Sequence, residues 1–560
     1  VPVYCGPGQY EGVSGSLYQN EGDGTFTDVT RQAGVYDESG RQLGAVFSDY
    51  DQDGDADLYI ANDTKPNWLF RNDGETGFTE VGLTSGVAVN PEARPEAGMG
   101  TDWGDYDRDG LLDLFLCNVG QYTHERLKDV GRDKTDTGRE QAGQEKSFQF
   151  FDGMDDAFAG HLHTGRTERS RLFRNQGGGR FVDVTEATGL IDESWTGAAS
   201  PIDANDDGWI DLYVLNMQGN DEYYENVGGK TFRKRSRELF PRTSWGAMGI
   251  KVFDFDNDGQ LDIYITDMHS DMGGDQVEVL RDNPLVGEEQ KKSPRPFADS
   301  ILKTDGTSLF GNSFFRRTGP GAFEEVSDRI GAETYWPWGI SVGDLNADGF
   351  QDVFVTSSMN FPWRYHPNHV LLNDAGSRFV LSEFVLGVEP RRDGRTAVPW
   401  HQLDADGRDS DHEFCEGRSG TFTMYGALGS RSSVILDLDG DGDLDIVTND
   451  FNSEPLVLIS DLAKRTTVRQ VRVRLVGVDS NRDGLGARVT VHAGGKAYVQ
   501  VNDGQSGYLS QSRMPLYFGL GAAEAVDKVE VKWPTGKIQA VPGPIAAGEL
   551  VEIEESGDSR

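Results

Sequence analysis

Six nine-residue stretches set acidic or amide side chains at positions 1, 3, 5 and 9 around a glycine at position 6. Four such oxygens so close in sequence repel one another unless a hard cation lies between them. Calcium takes 6–8 oxygens at about 2.3–2.6 Å, and alternate residues of a tight turn point theirs inward. The implied side-chain ligands are Asp49, Asp51, Asp53 and Asp57, then Asp105, Asp107, Asp109 and Asp113, then Asp203, Asn205, Asp207 and Asp211. The remaining sets are Asp254, Asp256, Asp258 and Asp262, then Asp344, Asn346, Asp348 and Asp352, then Asp437, Asp439, Asp441 and Asp445. Position 7 offers its carbonyl: Asp55, Leu111, Trp209, Gln260, Phe350 and Asp443. Glycine at position 6, as at Gly54 or Gly349, permits a turn that a Cβ would strain. The twelfth-position Glu and flanking helices of an EF-hand are absent, so about six Ca²⁺ ions are expected to staple β-turns rather than move helices. A partial copy, Asp479-Ser-Asn481-Arg-Asp483-Gly484, has Ala487 at position 9 and reads as a plain turn.

Catalytic chemistry is harder to find. No nucleophile elbow, P-loop, haem-attachment CxxCH or HExxH occurs. The histidines lie mostly in or beside long polar segments: His124, His161, His163, His269, His366, His369, His401 and His412. His161 and His163 would share one face of a strand, and Met268-His269 with Met272, or His412 with Cys415, would suit a softer transition metal. Surface histidines without partners are the plainer reading. A metalloenzyme, or an enzyme subunit built on these histidines, is the rival to a binding module.

The net charge of −40 argues against nucleic acid and anionic membrane as partners, since both require clustered positive charge. Three cysteines are too few for a disulfide scaffold. Cys117 sits in an apolar run, and a bridge between Cys5 and Cys415 is left open to geometry. No run approaches the roughly 18 apolar residues of a membrane helix. The first residue is Val1, so the start is expected to be processed or incomplete. Calcium loops of this kind fill where the ion is abundant, which points to a secreted, extracellular or periplasmic protein.

These loops sit in a longer repeat. Hairpins such as Leu69-Phe-Arg-Asn72 with Phe78, Leu172-Phe-Arg-Asn175 with Phe181, and Leu371-Leu-Asn373 with Phe379 alternate with the Asp loops. Two hairpins make a four-stranded unit of roughly 50 residues, the signature of a β-propeller blade. Six loops plus an orphan hairpin at Leu17–Phe26 give an all-β, seven-bladed propeller over residues 1–462, closed by pairing the first hairpin with the last repeat. Insertions near 121–169, 272–307 and 388–424 read as long loops, where function concentrates. Alternating strands in 463–560 make a small β-sandwich. Trp195, Trp245, Trp336 and Trp338 precede the innermost strands and are placed around the central channel, packing there or stacking on carbohydrate.

The Asp loops and Leu-Phe-Arg-Asn hairpins resemble the FG-GAP/VCBS repeats of integrin-α-like propellers. Asn481-Arg-Asp-Gly-Leu-Gly-Ala-Arg-Val489, Ser506-Gly-Tyr-Leu-Ser-Gln-Ser512, Phe518-Gly-Leu-Gly521 and Val531-Lys-Trp-Pro-Thr-Gly-Lys537 look like the ASPIC/UnbV domain. Together they are similar to bacterial relatives of cartilage acidic protein. The resemblance implies a secreted calcium-binding propeller that acts as a structural module or binds an unidentified protein or carbohydrate, or as a subunit of an extracellular assembly.

Overall fold

A computed structural model of the chain describes residues 11–119, 168–268, 306–357, 365–451, 453–504 and 507–557. Its framework is a series of antiparallel sheets, each built around one Asp loop. In the first, Gln42–Ser48 leads into the loop, and Asp57–Asn62, Trp68–Asn72 and Phe78–Glu80 follow in spatial order. The second sheet begins with Gly98–Gly104, the third with Thr196–Ile202, the fourth with Ala247–Phe253 and the fifth with Pro337–Gly343. All five have four strands. The sixth has three: Ser430–Leu436, Asp445–Asp450 and Val457–Leu458. Second strands such as Asp57–Asn62 and Asp211–Asn216 are buried along their whole length. That follows from apolar runs like Leu58-Tyr59-Ile60 being covered on both faces.

Consecutive sheets stack face to face. Val46, Tyr59 and Leu69 meet Trp103, Leu114 and Phe173 between the first and second. Phe354 and Val370 meet Ile435 and Ile446 between the fifth and sixth. The innermost strands pack side by side in chain order, and glycine permits their approach. A Cβ on Gly100 would stand 2.5 Å from the Gly197 carbonyl, and one on Gly339 would stand 2.8 Å from that of Arg431. This is a propeller-like array of blades.

In the second, third and fifth blades the asparagine closing the outer hairpin's first strand ties blade to blade. Asn226 Nδ2 donates to Ile210 O in its own Asp loop at 2.9 Å and to Tyr106 O in the preceding loop at 2.8 Å. Asn175 links Leu112 O to Tyr50 O, and Asn373 links Gln351 O to Phe255 O. The fourth blade has Arg317 here, whose guanidinium reaches Ala204 O at 2.8 Å. The second repeat of the sequence is therefore a strap as well as a hairpin.

The orphan hairpin pairs Tyr18–Asn20 with Phe26–Asp28 and leads into a helical turn, Thr30–Ala33, as the outer hairpins do. Leu17 packs against Val35, Leu58 and Trp68 on the free face of the first blade. Outer hairpin, turn and packing together make it half a blade. Residues 388–424, expected as a loop, instead contribute an antiparallel hairpin of Ala397–Asp404 with Thr421–Ala427. The other two insertions, and with them the expected short helix near Phe148–Phe158, fall outside the described residues. The chain enters both where second strands end, after Asn118 and Asp267, opposite the Asp loops. Cys117 and Cys415 are free and buried, while Cys5 lies outside the described residues.

The C-terminal strands form two sheets over one core. Gln470–Val476 lies between Leu516–Gly519 and Leu550–Glu554, and Arg488–Ala493 is central among Lys496–Val501, Ala525–Lys532 and Ile538–Ala546. Val473, Val489, Val491, Val529 and Trp533 fill the space between them.

Replacing Asn226 by Ala removes both bonds and leaves two buried carbonyls unpaired. Urea unfolding of N226A should show a loss of about 2–3 kcal/mol. N72A should lose about half as much, because Asn72 Nδ2 reaches only Ala56 O, at 3.2 Å.

Candidate metal centres and the face that carries them

Each Asp loop is shaped by its own backbone before any ion is considered. The position-1 carboxylate accepts the position-6 N–H: Gly54 to Asp49, Gly110 to Asp105, Gly208 to Asp203 and Gly259 to Asp254, each at 3.0 Å. Position 5 caps position 7, as where Phe350 N–H donates to Asp348 at 2.8 Å. Position 4 is left-handed, as at Gln52 (φ 63°) and Arg108 (φ 58°), so the loops need αL at position 4 as well as at the glycine. In the first loop the side chains of positions 1, 3 and 5 come together to one side.

Position 9 differs from its expected role. In every loop its carboxylate is held by two backbone N–H groups. Asp57 accepts from Tyr50 at 3.2 Å and Asn72 at 2.8 Å, and Asp352 accepts from Leu345 at 2.9 Å and Asn373 at 2.8 Å. Position 9 thus stitches the loop to the hairpin behind it, and in the second, fourth and sixth loops one of its oxygens also joins the cluster at the loop centre.

Ligand oxygens converge in four loops. Asp49, Asp51 and Asp53; Asp105, Asp107 and Asp113; Asp254, Asp256 and Asp262; and Asp437, Asp439 and Asp445 each place three carboxylate oxygens within 4.8 Å of one another. The other two loops carry Asn205 and Asn346 at position 3, so they hold one carboxylate fewer. Among the described residues, histidine and cysteine join no such cluster. His161, His163 and His269 lie outside the described residues, and the Nδ1 of exposed His412 accepts the Phe414 N–H at 3.2 Å.

Two observations test whether a cation fits. One oxygen each of Asp49, Asp51, Asp107, Asp203, Asp256 and Asp437 is buried without a hydrogen-bond donor. Burial also pushes the carboxyls up: Asp49 to about 6, Asp105 and Asp254 to about 7, and Asp57 to about 8. Desolvation dominates, and carboxylates of the same loop add to it. Hard oxygens, orphaned and crowded, fit Ca²⁺. In the second and fourth loops Arg174 and Arg316 reach Asp107 and Asp256 and offset part of the charge.

No pattern in the sequence points to what covers this face. The C-terminal domain touches all six loops. Asp483, in the partial copy, accepts the Asp49 N–H at 3.0 Å, and Arg482 pairs with Asp49 at 3.4 Å. Gly110 lies against the Asp479 carbonyl, and Ile210 against Gly486. Arg488 donates to Gly259 O, and Tyr498 lies over Gly349. At the sixth loop Tyr517 donates to Gly442 O at 3.0 Å and Arg472 pairs with Asp437 at 3.1 Å. A segment from the same domain enters where the inner strands converge. Gln511 pairs with the Phe47 backbone, Asp503 meets Lys251 at 2.7 Å, and Tyr508 is buried among Met99, Met248 and Trp338. Of the four expected channel tryptophans, Trp338 makes this contact, while Trp245 is fully buried in packing.

Residues 477–560 match the ASPIC and UnbV family, and residues 3–60, 49–116, 203–265 and 301–355 match the FG-GAP-like repeat. Cartilage acidic protein 1 of Xenopus tropicalis is 26% identical over 270 residues, covering 43% of this chain and 40% of that protein. The Homo sapiens protein of that name is 33% identical over 127 residues, 22% of this chain and 18% of its own length. The matches thus span well under half of these relatives. Among solved structures, the V. cholerae biofilm matrix protein Bap1 aligns with a TM-score of 0.28 at 10% identity, over 81% of this chain and 60% of Bap1. Drosophila Semaphorin 2a aligns at 0.22 and 9%, over 93% and 78%. Likenesses this loose carry no argument about this chain.

The raised carboxyls give a signed pH dependence. Unfolded aspartates titrate near 3.9, whereas Asp105 and Asp254 titrate near 7 when folded and ion-free. Between about pH 4 and 7 the ion-free folded chain holds more protons than the unfolded one, so these groups make it less stable as pH rises. Calcium needs the same carboxylates ionised, so its stabilisation grows over that range. The gap in melting temperature between calcium-loaded and EDTA-treated protein should widen from pH 5 to pH 7.5. A constant or narrowing gap would contradict the assignment.

Proposed function

Starting from a chain that carries FG-GAP-like repeats and a C-terminal ASPIC/UnbV domain, we propose that it is an extracellular, calcium-stapled scaffold. Its role is that of a structural or ligand-binding module. The six Asp loops hold one ion each, at the side chains and position-7 carbonyls named above. The observation that carries this reading is the set of buried carboxylate oxygens without donors, under a domain that rests on those same loops.

The ions have a second consequence. Each loop presents its backbone to the C-terminal domain, as Gly259 O does to Arg488 and Gly442 O to Tyr517. Ion-free loops would splay under their own charge, and those contacts with them. The metal face is therefore spent on an internal interface, and external partners are met elsewhere. We place the blades in residues 1–462 and the seated domain in 463–560. The N-terminal half-blade supports closure as seven blades. The histidine-based enzyme has no observation in its favour among the described residues.

Elemental analysis should find about six calcium ions per chain. At a hundredfold excess over its dissociation constant each ion adds about 2.7 kcal/mol, so EDTA should lower the melting temperature by many degrees. It should also speed proteolysis between residues 463 and 469 in the linking segment. Unchanged melting and cleavage on chelation would refute both halves of the proposal.

A further inference from the structure

Every inner strand begins with a β-bulge. Pairing with the second strand skips between Gln42 and Ala45, Gly98 and Thr101, Thr196 and Ala198, Ala247 and Ile250, Pro337 and Ile340, and Ser430 and Ser432. A bulge re-aims the residue it frees. Here the freed residue is the second of each inner strand: Leu43, Met99, Gly197, Met248, Trp338 and Arg431. Met99, Met248 and Trp338 meet around Tyr508, which places these bulges at the end of the convergent core opposite the Asp loops. Five of the six positions are uncharged. The sixth is an arginine.

Arg431 is anomalous in this protein. Asp and Glu number 93 against 53 Lys and Arg, and inward-facing cations elsewhere find acids. Arg391 pairs with Asp450, Arg171 with Glu96 and Lys251 with Asp503. The Arg431 guanidinium forms no such ion pair among the described residues. Its carbon lies 3.6 Å from the Trp338 ring centre and 5.6 Å from that of Phe451, and its Nε is buried with no acceptor. Desolvation is the main influence on its charge, with only the Tyr508 phenol set against it. Stacking on an indole recovers part of the lost hydration, but it leaves the in-plane N–H edge without an acid among the described residues. That edge is a flat fork that matches a carboxylate.

We propose that Arg431 is the anion-binding residue of a ligand site at this mouth, and that the site takes a small monocarboxylate with an apolar body. Trp338 holds the guanidinium flat, and the fork receives the carboxylate. Phe451 offers apolar surface to the rest of the ligand. Tyr508 floors the site and closes it toward the Asp loops. A sugar acid would set hydroxyls against this apolar rim, so an aliphatic or aromatic acid fits better.

The test is calorimetric titration of the calcium-loaded full chain with phenylacetate, and with phenylacetamide and glucuronate as controls. Phenylacetate should bind saturably, at least about tenfold more tightly than its amide or glucuronate. R431Q should lose that binding at least tenfold, and R431K should recover part of it. If R431Q fails to fold, the Arg431 Nε–Hε resonance of the native chain answers instead. It should move on adding phenylacetate and stay in place with phenylacetamide. Absence of saturable phenylacetate binding, equal binding of the amide, or full binding by folded R431Q overturns the proposal.

Discussion

The constraint on which the rest depends is a buried carboxylate at the end of each Asp loop. Asp57, Asp113, Asp211, Asp262, Asp352 and Asp445 are all at most 2% exposed. Each accepts the N–H of position 2 and an N–H from the third strand or, for Asp445, from Ser460 just beyond it, at 2.7–3.3 Å. Without it the loop would lose its tie to the hairpin behind it, and two donors would be left buried without acceptors. The asparagine that supplies one of those donors, as Asn226 does, then straps the blade to its predecessor. One acid per repeat thus fixes loop, sheet and neighbour.

That arrangement has an electrostatic cost. An acid already buried for structural reasons sits beside position 1, and positions 3 and 5 bring further acids to the same centre. Two N–H groups offset a single charge but not three or four. Arginine from the third strand answers in the second and fourth loops, through Arg174 and Arg316. The C-terminal domain answers from above with Arg472 and Arg482. A domain that brings cations to an acidic face docks by charge complementarity as well as by shape. The same face cannot then also be an open surface for a partner.

What was legible in the sequence was local. The Asp loops could be read because a tight turn brings its ligands together within nine residues, and the Leu-Phe-Arg-Asn hairpins because Asn and Gly mark turns. The function of Asn175 and Asn226 was hidden, since a strap to the preceding blade spans more than a hundred residues. The seat of the C-terminal domain was hidden further still: Gln511 with Phe47, or Asp483 with Asp49, joins opposite ends of the chain and leaves no periodicity. The hairpin of Ala397–Asp404 escaped because its exposed residues do not alternate, so nothing separates its pattern from that of a polar loop. Position 9 was assigned only as a ligand because spacing shows which oxygens are near a centre but not which donors already hold them.

Repetition itself distinguishes support from recognition. A residue that returns in six blades, such as the position-9 aspartate, answers a need that every blade shares. A residue that appears once at a position six blades possess answers to something outside the repeat. The bulge at the head of each inner strand is such a position. Its backbone is fixed by the pairing on either side, so its side chain is free to vary without unsettling the sheet. Leucine, methionine, glycine, tryptophan and arginine all occur there. The apolar members pack on Tyr508 or close the rim. Arginine does neither, and holding a guanidinium beside an indole with its Nε unmet among the described residues costs free energy that packing alone would have recovered with another methionine.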